Sequence, residues 1–353
     1  MNTLMIIAII LSILVVVRLM NVAQLASVLS GENEEEEQKR ADKGNALGMI
    51  AFMVVGLVLM IYMTIKYQPF MLPEAASEHG VKTDFLLNIN FAVIGLVFII
   101  TQIALFWFVY KYKNSSSRRA LFYPDNHKLE IIWTVVPTIV LSALIVTGLK
   151  EWNKITQGHP DDGMRVQVYG YQFNWITRYS GPDNKLGRSF YKLITDENPL
   201  GLDYSDPATK DDIITSGNEM RLPKDVPVLF QFNSRDVIHS AYFPHFRTQM
   251  NCVPGMSTSF YMVPTISTDE MRKKTNNDKF NYVLLCNKVC GVAHYNMKMN
   301  LVVENDRAAF DAWLKTQKPA IPVKKEEAPA PATAENATAT DATQSNNVSA
   351  NKM

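Results

Sequence analysis

The chain has 353 residues, a net charge of +1 and only three cysteines. That charge balance excludes a strongly cationic nucleic-acid binder, so no nucleic-acid partner is expected. Three thiols are too few for a disulfide framework. The near-neutral average hides a division of the chain. Residues 1–150 are dominated by apolar runs, and residues 151–317 read as a water-soluble domain. Residues 318–353 are Pro, Ala, Lys, Glu, Thr and Asn with almost no large apolar side chain, the composition of a disordered tail.

Four apolar stretches stand out at about 3–20, 47–65, 85–110 and 131–149. Each is about long enough to cross ~30 Å of hydrocarbon as a helix. The last three carry no Asp, Glu, Lys or Arg within those limits. Residues 1–84 are therefore expected to hold two transmembrane helices joined by an acidic linker at 31–46. Residues 85–150 are expected to form a transmembrane hairpin, and residues 66–84 an outer loop. The basic residues of the short loops set the orientation. Lys111, Lys113, Arg118, Arg119 and Lys128 place the loop 111–130 in the cytoplasm. Lys39, Arg40 and Lys43 place the linker on the same side, and everything after Leu149 then lies outside. The first stretch lacks a basic start and is expected to be a retained helix with its N-terminus outside.

After Trp152 the pattern changes to period two. Residues 165–175 alternate, with Arg165, Gln167, Tyr169, Tyr171, Phe173 and Trp175 on one face, and read as one strand. Val226–Phe232, Phe280–Cys286 and Met297–Val303 are further strands, and 306–316 a closing helix. Short strands without helices between them predict an antiparallel sandwich or barrel. Asn336 and Asn347 begin tripeptides that match glycosylation acceptors.

One segment demands a chemical account: Cys286-Asn-Lys-Val-Cys290-Gly-Val-Ala-His294-Tyr-Asn-Met297, with His239 upstream. Thiolate, imidazole and thioether together are the soft set that selects copper. Iron–sulfur clusters usually want four thiolates, and structural zinc uses no thioether. A mononuclear blue-copper site needs one thiolate; here a second sits four residues away, so both sulfurs can bridge two metals. One copper takes Met297 with either His239 or His294, and the other takes the remaining histidine and a backbone carbonyl. Cys252 has no such company and reads as a small buried hydrophobe. His245 reads as a surface or supporting residue. His79, His127 and His159 read as solvated.

These residues resemble the CuA signature of cytochrome c oxidase subunit II, the copper-bearing subunit of haem–copper oxidases. Ser234 to His239, Pro244, Phe246-Arg247 and Pro254-Gly255 resemble its first half. Cys286-x3-Cys290-Gly291-x2-His294-x2-Met297 resembles its second half. Leu129-Glu130-x2-Trp133-Thr134-x2-Pro137 resembles the start of that family's second helix.

The resemblance implies a transmembrane helical hairpin, here preceded by two extra N-terminal helices, and then a cupredoxin-like Greek-key β-sandwich. It implies that His239, Cys286, Cys290, His294, Met297 and the carbonyl of Lys288 hold two copper ions. Glu130 matches a carboxylate near the mouth of a proton pathway. Phe173 stands where the family has the Trp through which electrons arrive, while Trp175 is retained. The family usually has a magnesium-ligating Glu at position 288, and an ammonium cannot ligate a cation, so the interface magnesium does not carry over. Asn251 stands where the family often has Asp.

The resemblance further implies a haem-containing catalytic subunit I, other oxidase subunits, membrane lipid and a c-type cytochrome donor as partners. The copper domain would lie outside a bacterial plasma membrane. The subunit would relay electrons for proton-pumping reduction of O2 to water. A quinol oxidase subunit II would lack the cysteine pair. A nitrous-oxide-reductase-like enzyme would need a second, larger copper domain. A copper sensor or chaperone would favour exposed thiols. No Cys-x2-Cys-His is present, so no c-type haem is fused to the chain.

Overall fold

A computed structural model describes residues 3–29, 34–115, 118–157, 160–215 and 219–320. The expectations for His159, Asn336, Asn347 and the tail beyond Ala320 lie outside them. All four apolar stretches form helices: α1 (Thr3–Leu29), α2 (Glu34–Met71), α3 (Glu78–Lys111) and α4 (His127–Thr156). Helices α2, α3 and α4 are long and apolar enough to cross a membrane, while α1 holds a shorter apolar run, Ile10–Ala23.

The helices take up more of the chain than the apolar limits predict. The described part of the acidic linker is helical as well. Glu35 and Lys39 pair at 2.9 Å one turn apart, which supports the α2 backbone where apolar packing does not. The outer loop shrinks to the residues between Met71 and Glu78. Ser77 caps α3, accepting the Gly80 N–H at 3.1 Å.

Among the described residues, eleven strands make two sheets packed face to face. The first holds β1 (Met164–Tyr171), β2 (Asn174–Tyr179), β3 (Ile213–Thr215), β5 (Val228–Ser234), β8 (Thr258–Met262) and β11 (Lys318–Pro319), in the order β11-β3-β2-β1-β5-β8. The second holds β4 (Glu219–Pro223), β6 (His239–Phe243), β7 (Thr248–Cys252), β9 (Tyr282–Cys286) and β10 (Lys298–Glu304), in the order β4-β10-β9-β6-β7. Between them lies an apolar core that includes Val166, Val168, Phe230, Phe232, Phe243, Leu284 and Leu301, all fully buried. Helix α6 (Arg307–Leu314) closes it by burying Phe310 against Tyr179.

Four expectations about the sandwich and its flanks need correction. Residues 165–175 are not one strand: the chain reverses at Gln172-Phe173 and pairs Tyr171 with Asn174 and Gly170 with Trp175. The alternating pattern runs unbroken through the two-residue turn, which is why it reads as continuous. The reversal moves Trp175 to the core face shared by Val166 and Val168. The sheets are not wholly antiparallel, since β1 pairs with β5 and β10 with β4 in parallel. A helix does lie between strands: α5 (Thr268–Thr275), held by a Ser267–Glu270 capping box. Finally, Lys318–Pro319 joins the first sheet beside β3 and is not part of a tail.

Residues 180–212 leave the first sheet between β2 and β3. They are pinned by an ion pair of Arg178 with Asp212, both side chains fully buried, and by a second small core around Tyr169, Ile176, Leu200 and Leu202. The segment 72–84 locks onto the sandwich, at the β6–β7 turn and just after β8. Ala76 N–H donates to His245 O at 2.7 Å, Thr265 N–H to Ala76 O at 2.8 Å, and Ser77 Oγ to Phe246 O at 2.8 Å. His79 is thereby buried against the Phe260 ring and is not solvated. His245 is partly buried between Phe280 and Tyr282, at 5.2 Å from each ring centre, because the same junction covers it. His127 is exposed and Cys252 buried, as expected.

Candidate metal centre

Three neighbouring strands of the second sheet bring the ligand candidates to one edge. His239 opens β6, Cys286 ends β9, and Met297 immediately precedes β10. The register is held by Ala241 opposite Cys286, by Cys286 N–H to Met297 O at 3.1 Å, and by Asn287 N–H to Ser240 O at 2.9 Å. These ladder bonds fix three candidate ligands on rigid backbone. The loop 287–296 then folds back so that Cys290 and His294 face the same point.

All of the donor atoms expected from the sequence converge. Cys286 Sγ lies 3.8 Å from Cys290 Sγ, 3.8 Å from His239 Nδ1 and 3.3 Å from Lys288 O. Cys290 Sγ lies 3.6 Å from His294 Nδ1 and 3.8 Å from Met297 Sδ. The three cysteines are unbonded. A 3.8 Å gap between two sulfurs leaves room for an ion about 2.3 Å from both. Cys290, His239 and Met297 are buried and Cys286 is half-buried, so water is largely excluded. The donor set and the spacing both fit copper.

The two thiols differ. Burial raises Cys286, but hydrogen bonds to His239 and to the backbone at Ser240 and Lys288 outweigh it and hold the thiol at about 6. Cys290 is pushed up to about 11 by burial and by the neighbouring Cys286 sulfur. Cys286 is thus the readier of the two thiols to ionise, and a bound metal would displace the protons that remain.

Residues not singled out by spacing complete the arrangement. Asp236 accepts from His239 Nε2 at 2.8 Å, which leaves Nδ1 turned to the sulfurs. Burial lowers and the Cys286 and Asp236 hydrogen bonds raise the imidazole, with a net upward shift. Asp236 is fixed by the Gln172 N–H and the Val237 N–H, each at 2.7 Å. Those bonds hold its carboxyl below the ordinary value against the opposing effect of burial. Gln172 Nε2 reaches the Cys290 carbonyl at 2.5 Å. The hairpin turn of the first sheet therefore braces both a candidate ligand histidine and a candidate ligand cysteine. Gly170 is required beneath: a Cβ there would lie 3.0 Å from the His239 ring. An Asp three residues before a His was the available signal; the Gln172 contact, across 118 residues of chain, left none.

The remaining candidates lie at different depths. Trp175 is fully buried with its ring 6.1 Å from that of His239, edge to face. Phe173 is half-buried and packs over Gly291, where a Cβ would meet its ring at 2.8 Å. The side chain of Lys288 is exposed. Glu130 sits in the first turn of α4, 3.2 Å from His127 Nδ1, at the opposite end of that helix from the metal candidates.

Residues 65–150 match the family described as Cytochrome C oxidase subunit II, transmembrane domain, and residues 164–305 match its periplasmic domain. The alternative cytochrome c oxidase subunit 2 of Bradyrhizobium diazoefficiens is 32% identical over 252 residues, covering 71% of this chain and 86% of that protein. The cytochrome c oxidase subunit 2 of Cereibacter sphaeroides is 25% identical over 260 residues, covering 70% and 78%. Among solved structures, the periplasmic domain of subunit II of cytochrome oxidase from Bradyrhizobium japonicum is similar over 44% of this chain and 94% of its own. Its identity is 19% and its TM-score 0.29. With both family domains matched in order along one membrane-anchored chain, the protein belongs to the cytochrome c oxidase subunit II family.

Proposed function

We propose that this chain is the electron-accepting subunit of a respiratory terminal oxidase, through a dicopper CuA centre. The observation that carries the reading is the pair of sulfurs 3.8 Å apart, flanked by two imidazoles, a thioether and a carbonyl oxygen. Two copper ions held by these residues would share one electron, so that little would change at the ligands between oxidation states. Cys286 and Cys290 would hold both ions. His239, His294, Met297 and the Lys288 carbonyl complete the set. Asp236, accepting from His239 Nε2, turns Nδ1 toward the sulfurs, and the ladder bonds of β6, β9 and β10 would hold the ligands still while the charge changes.

A c-type cytochrome supplies the electron, with Phe173 and Trp175 as the aromatic side chains nearest its path. Haem in a catalytic subunit I of the oxidase accepts it and reduces O2 to water with proton translocation. Glu130, on the far side of the membrane from the copper centre, serves the proton pathway of that partner. The sandwich faces the outside of a bacterial plasma membrane and the loop 111–130 the cytoplasm. Lys288 offers no ligand to an interface magnesium.

The purified full-length chain should bind two coppers per molecule and show, in EPR, one electron shared by both. Cys290→Ser should abolish that signal. A single copper, or zinc alone, would refute the reading.

A further inference from the structure

Strand β6 holds His239 at one end and runs at the other into the turn 244–247, which grips α3. Arg247 is the centre of that grip. Its Nε donates to Asp84 Oδ1 at 2.7 Å and its Nη2 to Oδ2 at 2.8 Å, a two-pronged charged pair. The same guanidinium donates to Pro244 O at 2.7 Å and to Pro73 O at 2.6 Å. The Arg247 side chain is 9% exposed, so salt screens the pair little. Its backbone lies at φ 52°, a left-handed conformation that glycine adopts at less cost. A turn alone would be better served by glycine; the guanidinium is what the position gains.

Asp84 is the last charged residue before the uncharged run 85–110, so the grip closes where α3 leaves the hydrocarbon. The sandwich is joined in sequence to the membrane helices through α4. One covalent tether leaves a domain able to pivot. A second fixed point on α3, connected to His239 by the five residues of β6, removes that freedom.

We propose that Arg247 is a positioning residue for electron transfer. By clasping Asp84 it fixes the metal loop over the membrane helices, and with it the separation between the copper centre and the acceptor in the partner subunit. This rests on the function proposed above.

The test uses the whole oxidase complex with Arg247→Gly, Asp84→Asn and Arg247→Lys. One readout is hydrogen exchange at the amides of Ala76, Glu78 and Thr265, which donate across the junction. The other is the rate at which photoreduced copper passes its electron to haem, with the copper absorption band and midpoint potential measured alongside. Arg247→Gly and Asp84→Asn should each speed exchange at those amides about tenfold, the loss expected for a charged hydrogen-bonded pair. Each should also slow the electron's departure several-fold while band and potential stay put. Arg247→Lys should recover part of both. An unchanged departure rate in both variants overturns the positioning role even where exchange rises, because the grip then only adds stability. Unchanged exchange overturns it as well. A wild-type complex without the dicopper band fails the underlying function, visibly before any variant is made, and takes this role with it.

Discussion

Replacing Asp236 by Asn tests whether the hydrogen bond behind His239 tunes the metal. The change keeps the volume of the side chain and removes its charge. Along the path from Asp236 through the 2.8 Å hydrogen bond, the imidazole ring and a metal–nitrogen bond of ~2 Å, the carboxylate stands about 7 Å from the metal. A unit charge at about 7 Å and effective ε ~20 contributes about 2.4 kcal/mol, or about 100 mV for a one-electron couple. The Asp236 side chain is 32% exposed, so solvent should roughly halve that, to about 50 mV. The anion favours the oxidised, more positive centre, so its loss should raise the midpoint potential. Asn also puts an NH2 group against one of three N–H donors, which loosens the imidazole. Loss of such a supporting group typically costs 10–100-fold in metal affinity. Spectroelectrochemical titration of the detergent-solubilised protein and copper release to a chelator read the two effects. A potential within about 20 mV of the parent, well under the Coulomb figure, with unchanged copper release, would show that Asp236 merely shapes the turn.

Three further outcomes follow from named contacts. Lys288→Glu places an anion beside the bridging cysteines and should lower the midpoint potential; an unmoved potential would show the exposed side chain to be fully screened. His245 is held at about 4 by burial and by the charge of Arg247, against an ordinary value of about 6.5. The unfolded chain then binds a proton that the folded one refuses, so stability is complete above about pH 6.5 and falls as the pH drops toward 4. His245→Phe should flatten that slope in thermal melts between pH 4.5 and 7, and an unchanged slope would assign it elsewhere. Arg178→Met strands the buried carboxylate of Asp212 and should cost roughly 3–5 kcal/mol, while adding Asp212→Leu should recover much of it; a single variant melting like the parent would contradict the burial of the pair.

The helices and the cluster of candidate donor side chains were legible in the sequence because both are local signals. An uncharged run of twenty residues has few alternatives to a membrane helix, and Cys286 through Met297 spans one loop and its flanks. What was misread depends on distant partners. The sequence alternation through 165–175 runs on across a tight reversal that exchanges which positions face the core, so the turn left no mark. The parallel pairings of β1 with β5 and β10 with β4 join strands separated by long stretches of chain, and no residue in either strand announces its neighbour. His79 looked solvated because it sits among polar residues in sequence; it is buried because Ser77 and Ala76 bond to a turn some 170 residues away.

The same distinction separates the ligands from what holds them. Copper chemistry selects side chains by type, so thiolate, imidazole and thioether at tight spacing are readable wherever they occur. The supporting groups are chosen by position, and almost any polar residue type could serve. Gln172 matters because the turn between β1 and β2 lies over the metal loop, where its amide reaches the Cys290 carbonyl and its N–H reaches Asp236. Gly170 matters because the paired strand sets Trp175 beside it and leaves the His239 ring no room for a Cβ. Arg247 matters because the β6–β7 turn meets α3 at the membrane surface. Each of these residues is ordinary in sequence, and each takes its place relative to the candidate ligands only through the register of the two sheets. Substitutions at such positions should therefore leave the donor set intact while changing how firmly it is aimed.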